Sequence, residues 1–229
     1  MNEFCYMKTI YFAAPLFNQA ETRYNKELTA LLEEKGHRVI LPQRDGFEFQ
    51  NLSMILRKHL PEKDVPNAVQ GLIYLLDIGK FLPMSDAVVA VLNEPLDPGV
   101  IVEICYARLL GKQVVGLRSD TRQPFGDYSS RFGGMHFFPA FQCDYFLKVG
   151  PNDDIGAIVN FIDSCLRRIT SKEQVKSKNI AGLIELAEKI FHDADDIHSD
   201  RGLEKVVRRY VQSRDEVRKV LSVVSVSLL

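Results

Sequence analysis

The chain has 229 residues, of which 46% are hydrophobic and 26% are charged, and its formal net charge at pH 7 is −1. This composition is typical of an ordinary globular protein and excludes a strongly basic surface that would attract nucleic acid or membranes. The four cysteines form no CxxC pair, so metal-ligand and disulfide spacing are absent and a reduced, cytoplasmic compartment is predicted. The N-terminus lacks a basic segment before a long apolar run, so no secretory signal is predicted.

The first part of the chain alternates strand and helix patterns. The run TIYFAAP (9–15) predicts the first, central strand, and residues 18–35 carry apolar side chains at helical spacing. HRVILP (37–42) predicts the next strand. Residues 43–70 are polar and punctuated by Pro and Gly, so we predict a long loop over the strand ends, with a possible short helix at 51–60.

The middle of the chain contains the clearest buried strand. Residues 68–81 predict a helix that leads into a fully apolar strand at 86–92. An amphipathic helix then begins at Asp97-Pro98 and ends near Gly111, where a Gly after the last periodic residue is a typical helix stop. QVVGLRSD (113–120) predicts a fourth strand.

The last part of the chain changes character. After an irregular Gly- and aromatic-rich stretch (121–142), we predict a fifth strand at 145–150 and a closing helix at 154–169. Two further amphipathic helices are predicted at 181–191 and 202–224.

This order of elements predicts the fold class. Alternating strands and helices indicate an α/β fold with a doubly wound, mostly parallel five-stranded sheet of the flavodoxin or Rossmann type. Residues 1–170 would form this domain, and residues 171–229 would form a C-terminal helical extension.

Several familiar cofactor and metal motifs are absent. No GxGxxG follows the first strand and no GxxxxGK[ST] occurs, so dinucleotide and P-loop sites lose their main support. The acidic, His-containing turn HDADDIHSDR (192–201) offers metal-ligand side chains, but a solvated turn between helices is the favoured interpretation. We therefore predict no metal and no cofactor.

Three carboxylates mark the candidate active site. Asp77, Asp97 and Glu103 all lie around the buried strand and the helix after it, where open α/β sheets bind ligands beyond the carboxyl ends of their strands. Each has a purely structural alternative. Asp97 before Pro98 is also a good N-cap, Glu103 can be a solvated helix residue, and Asp77 can cap a helix or face water.

The motifs IYFAAPLF (10–17), VILPQRDG (39–46) and DIGKF…SDAVVAVL…DPGVIVEICYARLLGKQVVGL resemble the nucleoside 2-deoxyribosyltransferase family over roughly residues 8–165. The specific part of the resemblance is the order Tyr11, Asp77, Asp97, Glu103. It implies that Glu103 is the nucleophile, that Asp77 is the general acid for the base, and that Asp97 holds the 5′-hydroxyl. Tyr11 would orient Glu103.

The resemblance also implies further substrate-binding residues. Gln43 matches a position that can read the edge of the base, although residues 43–45 can equally form a turn, and Gly99 is placed with the substrate-binding residues. The family usually takes an asparagine from a neighbouring subunit, and no asparagine stands in the corresponding loop. Gln142 is the best substitute, with Ser129 next.

The implied function is transfer of a 2-deoxyribosyl group between nucleobases through a covalent glycosyl-glutamate, with net retention. Deoxynucleosides and free nucleobases would be the partners of a cytoplasmic homo-oligomer that binds neither nucleic acid nor membrane. The alternatives are hydrolysis of a nucleoside or nucleoside 5′-monophosphate, and a non-catalytic nucleotide sensor. The carboxylate of Asp97 would repel phosphate and favour a nucleoside, unless Arg44, Arg118 or Arg122 reverses that preference.

Overall fold

The structure is a computed structural model that describes residues 7–168, 178–194 and 196–220. These residues form two compact units. The first unit combines the residues up to Asp45 with those from Leu82 to the end of the first described range. The second unit combines Gly46–Phe81 with the described helices after residue 177.

The first unit is built on a five-stranded parallel sheet with the strand order β2-β1-β3-β4-β5. The prediction of a doubly wound parallel α/β fold is confirmed. The central strand is β3, however, and not the first strand, which lies beside it. The strands are β1 (Thr9–Ala13), β2 (Arg38–Ile40), β3 (Ala87–Val91), β4 (Gln113–Arg118) and β5 (Tyr145–Lys148).

The helices are named in chain order. A π-helical turn, Leu75–Phe81, continues directly from the fourth helix. The α-helices are α1 (Gln19–Glu34), α2 (Pro42–Asp45), α3 (Phe49–Arg57), α4 (Val65–Tyr74), α5 (Leu82–Met84), α6 (Pro98–Leu109), α7 (Phe137–Ala140), α8 (Ile155–Arg168), α9 (Lys178–Phe191), α10 (Asp200–Gln212) and α11 (Arg214–Val220). None of these helices is long and apolar enough to cross a membrane, a statement that covers only the residues described above.

The two faces of the sheet carry different helices. Alternate strand residues such as Ile10, Phe12 and Val89 pack with side chains of α1 and α8 in one buried cluster. Because successive strand residues point to opposite faces, Tyr11 lies on the other face. Helix α6 packs against β1, β3 and β4 on that other face, and its C-terminal turn is closed by Gly111 at a φ of 71°.

The second unit is helical, so residues 43–70 are not mainly a long loop, although α3 overlaps the short helix predicted as possible at 51–60. Helix α3 forms there because Glu48 accepts hydrogen bonds from two backbone N–H groups of its first turn, and because Leu52, Ile55 and Leu56 bury one apolar face. Pro66 lies in the first turn of α4, where a proline fits without losing a helical hydrogen bond.

The C-terminal helices complete the second unit. Helix α9 packs along the π-helical turn, and α10 packs on both α3 and α9. Residues 46–81 therefore share a compact unit with the predicted C-terminal extension. The functional division into residues 1–170 and 171–229 stays a prediction, and the end of the helix predicted to reach residue 224 lies outside the described residues.

Candidate active site

Helix α6 places two of the predicted carboxylates. Asp97 is its N-cap, and Asp97 Oδ1 accepts a hydrogen bond of 2.7 Å from the Val100 backbone N–H. Val100, Ile104 and Ala107 are buried and fix one side of the helix on the sheet. Glu103 lies six residues after Asp97, which corresponds to an axial rise of about 9 Å. Asp97 is therefore an N-cap and at the same time a partly buried carboxylate at the carboxyl edge of the sheet.

A side-chain hydrogen bond joins β1 to α6. The hydroxyl of Tyr11 donates a hydrogen bond of 2.6 Å to Glu103 Oε1. Tyr11 is fully buried in the second strand of the sheet order, between Ile40 of β2 and Val88 of β3. A rigid strand therefore holds the hydroxyl that orients the Glu103 carboxylate, and the predicted pairing of these two residues is present.

The pKa of Glu103 is raised toward neutral pH. The pKa of Glu103 is raised from its ordinary value to about 7 because burial raises it, the hydrogen bond from Tyr11 opposes the rise, and the negative charge of Asp97 adds to it. Burial is the largest of these effects. A carboxyl group that titrates near 7 in a buried setting is a candidate functional group.

A cavity of about 660 Å³ opens at the carboxyl ends of β1, β3 and β4. It lies on the α1 side of the sheet, and Asp97 is part of its wall, whereas Tyr11 and Glu103 are not. Asp97 thus belongs to the cavity wall and also influences the charge of Glu103. Its wall includes Glu21, Asn25, Glu94, Asp97 and Arg122.

Gln43 does not line this cavity. Its amide oxygen accepts a hydrogen bond of 3.1 Å from Asn25 Nδ2, and its amide nitrogen donates to the Thr22 carbonyl at 3.0 Å. Asn25 is buried and also donates to the Pro15 carbonyl at 2.9 Å. Gln43 therefore stabilises the loop between β1 and α1 through its hydrogen bond with Asn25.

Gly99 gives the Asp97 carboxylate room at the start of α6. A Cβ atom at residue 99 would lie 2.9 Å from Asp97 Oδ1. Glycine at this position therefore permits the close approach that capping requires.

Gln142 lies apart from the residues of the first unit described so far, and Asp77 belongs to the second unit. Gln142 follows α7 and precedes β5, so it lies near the amino edge of the sheet, whereas Asp97 lies at the carboxyl edge. Asp77 belongs to the second unit, in the π-helical turn, where it is partly buried. Within the first unit, the structure thus brings together Tyr11, Asp97 and Glu103.

Sequence analysis missed Glu94, which lies in the loop between β3 and α6. Glu94 is buried, and its backbone carbonyl accepts a hydrogen bond of 2.6 Å from Arg122 Nη1. A second acidic residue three positions before Asp97, directly after a buried parallel strand, is a signal that could have identified it.

The arginines that could have formed a phosphate site are paired with acids. Arg118 is fully buried and lies 3.0 Å from Asp120. Arg122 lies 3.3 Å from Asp120, and Arg44 lies 2.9 Å from Glu33. None of the three presents an uncompensated charge.

No grouping of three or more His, Cys, Asp or Glu side chains suitable for a metal ion occurs in the described ranges. Asp195, one of the potential ligands in the 192–201 turn, lies outside them.

Comparisons with solved structures list remote neighbours. A 2-deoxyribosyltransferase from Bacillus psychrosaccharolyticus is 16% identical, with 69% of this chain and 95% of that chain covered and a TM-score of 0.45. A conserved protein from Enterococcus faecalis V583 is 26% identical, covering 69% and 99% at a TM-score of 0.43. The CMP N-glycosidase BcmB of Clostridium botulinum is 19% identical, covering 68% and 99% at a TM-score of 0.39. No curated protein sequence matches the chain significantly.

Protein-family models give the decisive comparison. The model described as nucleoside 2-deoxyribosyltransferase matches residues 10–160, which is well over half of the 229-residue chain. The match contains the whole Tyr11, Asp97 and Glu103 arrangement. The chain therefore belongs to the nucleoside 2-deoxyribosyltransferase family.

Proposed function

We propose that this protein transfers a 2-deoxyribosyl group between nucleobases through a covalent ester on Glu103. The observation that carries the proposal is the 2.6 Å hydrogen bond from Tyr11 to Glu103. Both residues lie within residues 10–160, which match the family model. A carboxylate held in one orientation by a buried strand residue is suited to attack at a fixed carbon atom.

The reaction would proceed in two displacements. A Glu103 carboxylate oxygen attacks C1′ of the deoxyribose, the bond between C1′ and the base nitrogen breaks, and the departing base takes up a proton. The nitrogen of a second base then attacks C1′ from the opposite face and gives its N–H proton to the group that protonated the first base, while the ester bond to Glu103 breaks and the carboxylate is regenerated. Two inversions give net retention, as in retaining glycosidases.

Asp77 is the proposed proton donor to the departing base. The support is the family order of Tyr11, Asp77, Asp97 and Glu103 in the sequence, together with the setting of Asp77 in its own unit. Asp77 lies in a π-helical turn, a backbone geometry that is frequent at functional sites. Asp77→Asn should lower the rate most for poor leaving bases, and equal losses for good and poor leaving bases would contradict this role.

Asp97 is the proposed ligand of the sugar 5′-hydroxyl. One of its oxygens is held by the Val100 N–H, which fixes the carboxylate plane at the helix start. Gly99 supports this position because it leaves space beside Asp97 Oδ1. A 2′-hydroxyl would withdraw electrons from the cationic transition state, so the proposed substrates are 2′-deoxynucleosides.

Gln142 would act between copies of the chain. Because it lies near the opposite sheet edge from Asp97, its contribution to a site would come from a neighbouring copy, which implies a homo-oligomer. Mixing inactive Gln142→Ala and Glu103→Ala variants after dissociation and reassembly should restore part of the activity. A mixture that remains inactive would contradict shared sites.

The test of the transfer itself uses 2′-deoxyinosine and adenine as substrates. We expect formation of 2′-deoxyadenosine, loss of this exchange by at least about 1,000-fold in Glu103→Ala, and a 2-deoxyribosyl adduct on Glu103 in intact-protein mass spectra. Free deoxyribose without exchange would indicate an N-glycoside hydrolase. Binding without turnover would indicate a nucleotide sensor.

A further inference from the structure

The π-helical turn that carries Asp77 packs against a helix from the far end of the chain. The turn, residues 75–81, follows α4 directly, and α9 packs along it within the second unit. Asp77 is partly buried. The buried residues of the turn are Leu75, Leu76, Ile78, Gly79 and Phe81. The proposed proton donor therefore lies in a turn that is otherwise mostly packed.

The turn approaches α9 closely at Gly79, two residues after Asp77. A Cβ atom at residue 79 would lie 2.5 Å from Ala187 Cβ and 3.3 Å from the Leu183 carbonyl oxygen. Glycine permits this approach because it has no side chain to separate the two backbones. The backbone of the turn is therefore fixed against the backbone of α9 close to Asp77.

A second contact with α9 lies at the next residue of the turn. The Lys80 ammonium group lies over the ring of Phe191, 5.4 Å from the ring centroid, and Phe191 is buried. Ala187 and Phe191 are four residues apart, so they lie on the same face of α9. One face of α9 thus contacts two consecutive residues of the turn that carries Asp77.

A π-helical turn depends on such packing. An α-helix closes its hydrogen bonds over four residues and a π-helix over five, and π-helices are rare and occur mostly as single turns. Relaxation of the turn to an α-helix would rotate its side chains about the helix axis, that of Asp77 included. Catalysis is sensitive to such a change, because a displacement of about 1 Å can lower a rate about 100-fold.

We propose, on the basis of the proposed function, that α9 is a positioning element for the general acid. Ala187 and Phe191 hold the π-helical turn in the geometry that presents the Asp77 carboxyl group to the departing base. The C-terminal helices thereby serve the step in which the base takes up a proton. They act on this step through Asp77 and contribute no catalytic residue of their own.

The experiment measures release of the first base from two substrates that differ in their need for a proton. Hypoxanthine must be protonated as it leaves 2′-deoxyinosine. The cationic base of 7-methyl-2′-deoxyinosine leaves without a proton, because the electrons of the broken bond neutralise its charge.

Ala187→Val enlarges the side chain that approaches Gly79 and should displace the turn. We expect kcat for 2′-deoxyinosine to fall about tenfold, whereas kcat for the 7-methyl substrate should change by less than about twofold. Gly182→Ala is the matched control, since it adds a methyl group to α9 at a point where no atom of the described residues lies within 4 Å. It should change neither value.

A double-variant cycle tests whether the effect passes through Asp77. In the Asp77→Asn background, Ala187→Val should lower kcat for 2′-deoxyinosine no further, because the displaced side chain no longer donates a proton. A merely structural role of α9 would give equal losses for both substrates, and these losses would add to that of Asp77→Asn. Either result would overturn the proposal.

Amide hydrogen exchange separates this inference from the proposed function. Exchange within residues 75–81 should be faster in Ala187→Val than in the native protein or in Gly182→Ala, whether or not a sugar is transferred. Unchanged exchange would refute the support of the turn by α9. A native protein that releases no base would refute the proposed function, whereas native release with an unselective loss in Ala187→Val would refute the positioning role alone. Thermal unfolding verifies that each variant is folded before rates are compared.

Discussion

Glu103 experiences two opposing influences, since its burial favours the protonated form while Tyr11 donates a hydrogen bond that favours the carboxylate. A nucleophile must be ionised in order to attack, so the balance between these influences sets the pH at which the site becomes active. With a pKa of about 7, the carboxylate is fully available only above neutral pH.

Tyr11→Phe tests this balance. Removal of the hydroxyl removes the influence that lowers the Glu103 pKa, so the acidic limb of kcat/KM should move to higher pH. The rate on the plateau should also fall about tenfold because the carboxylate loses its orientation. The measurement is a pH–rate profile for base exchange, with Tyr145→Phe on β5 as the matched control. A lower rate with an unmoved limb would refute the electrostatic role of Tyr11.

Glu103→Gln should make the fold more stable at alkaline pH. The folded-state pKa of Glu103 is raised from 4.5 to about 7, so its contribution to stability is present below pH 4.5 and is lost as the pH rises toward 7 and beyond. Glutamine does not titrate and avoids this loss. The stability difference between variant and native protein should therefore increase between pH 5 and pH 8, by at most about 3 kcal/mol.

Urea unfolding at pH 5 and pH 8 measures this difference. Glu34→Gln, an exposed change of the same chemistry, should show no pH-dependent gain. If Glu103→Gln instead became less stable than the native protein as the pH rises, the burial of a charged Glu103 would be disproved.

At the scale of the element, the first turn of α6 combines a structural and a chemical role. Asp97 caps the helix and belongs to the cavity wall, and a Cβ at Gly99 would lie 2.9 Å from its Oδ1. Helix α8 has the same construction without a proposed site. There Asp154 Oδ1 accepts from the Ala157 N–H, and a Cβ at Gly156 would lie 3.0 Å from that oxygen.

Gly99→Ala and Gly156→Ala form a matched pair. Both changes favour helix formation by reducing backbone freedom, so neither should greatly lower the free energy of unfolding. Gly99→Ala should nevertheless lower kcat/KM for base exchange about tenfold because it displaces the Asp97 carboxylate, whereas Gly156→Ala should not affect it. Equal activity of both variants would show that the position of Asp97 is not critical.

Element patterns in the sequence predicted the strands and most helices of both units, but not that residues 46–81 and the C-terminal helices form one compact unit. β3 and α6 were predictable because a continuous apolar run and an Asp-Pro helix start are strong local signals. Helix α3 overlaps the short helix predicted as possible at 51–60, but its start at Phe49 depends on the Glu48 cap and its stability depends on the packing of Leu52, Ile55 and Leu56.

Residues of the candidate site were predictable where their position in a local strand or helix pattern identified them. Asp97 and Glu103 could be predicted from the pattern of one buried strand and the helix after it. Tyr11 was predicted only from the resemblance to the family. The hydrogen bonds that occupy the Gln43 amide depend on Asn25 and Thr22, which lie about twenty residues away, so no local pattern could reveal them.

At the scale of the whole molecule, the chain builds its second unit from two distant segments. The π-helical turn, residues 75–81, packs on helix α9, more than 100 residues later. This contact is close at Gly79, where a Cβ would lie 2.5 Å from Ala187 Cβ. The segment predicted as a C-terminal extension is therefore a packing partner for the turn that carries Asp77.

Gly79→Ala tests whether this packing supports the folded chain. The added methyl group has no room against Ala187, so α9 and the turn must separate slightly, and overpacking of this kind costs about 1–3 kcal/mol. Gly182→Ala is the control, since it places the same methyl group on α9 where no atom lies within 4 Å, and its effect should be neutral or slightly stabilising. Denaturant unfolding of both variants gives the comparison. If Gly79→Ala were as stable as Gly182→Ala, the close contact between α9 and the π-helical turn would not exist in solution, and α9 would lose its assigned place in the second unit.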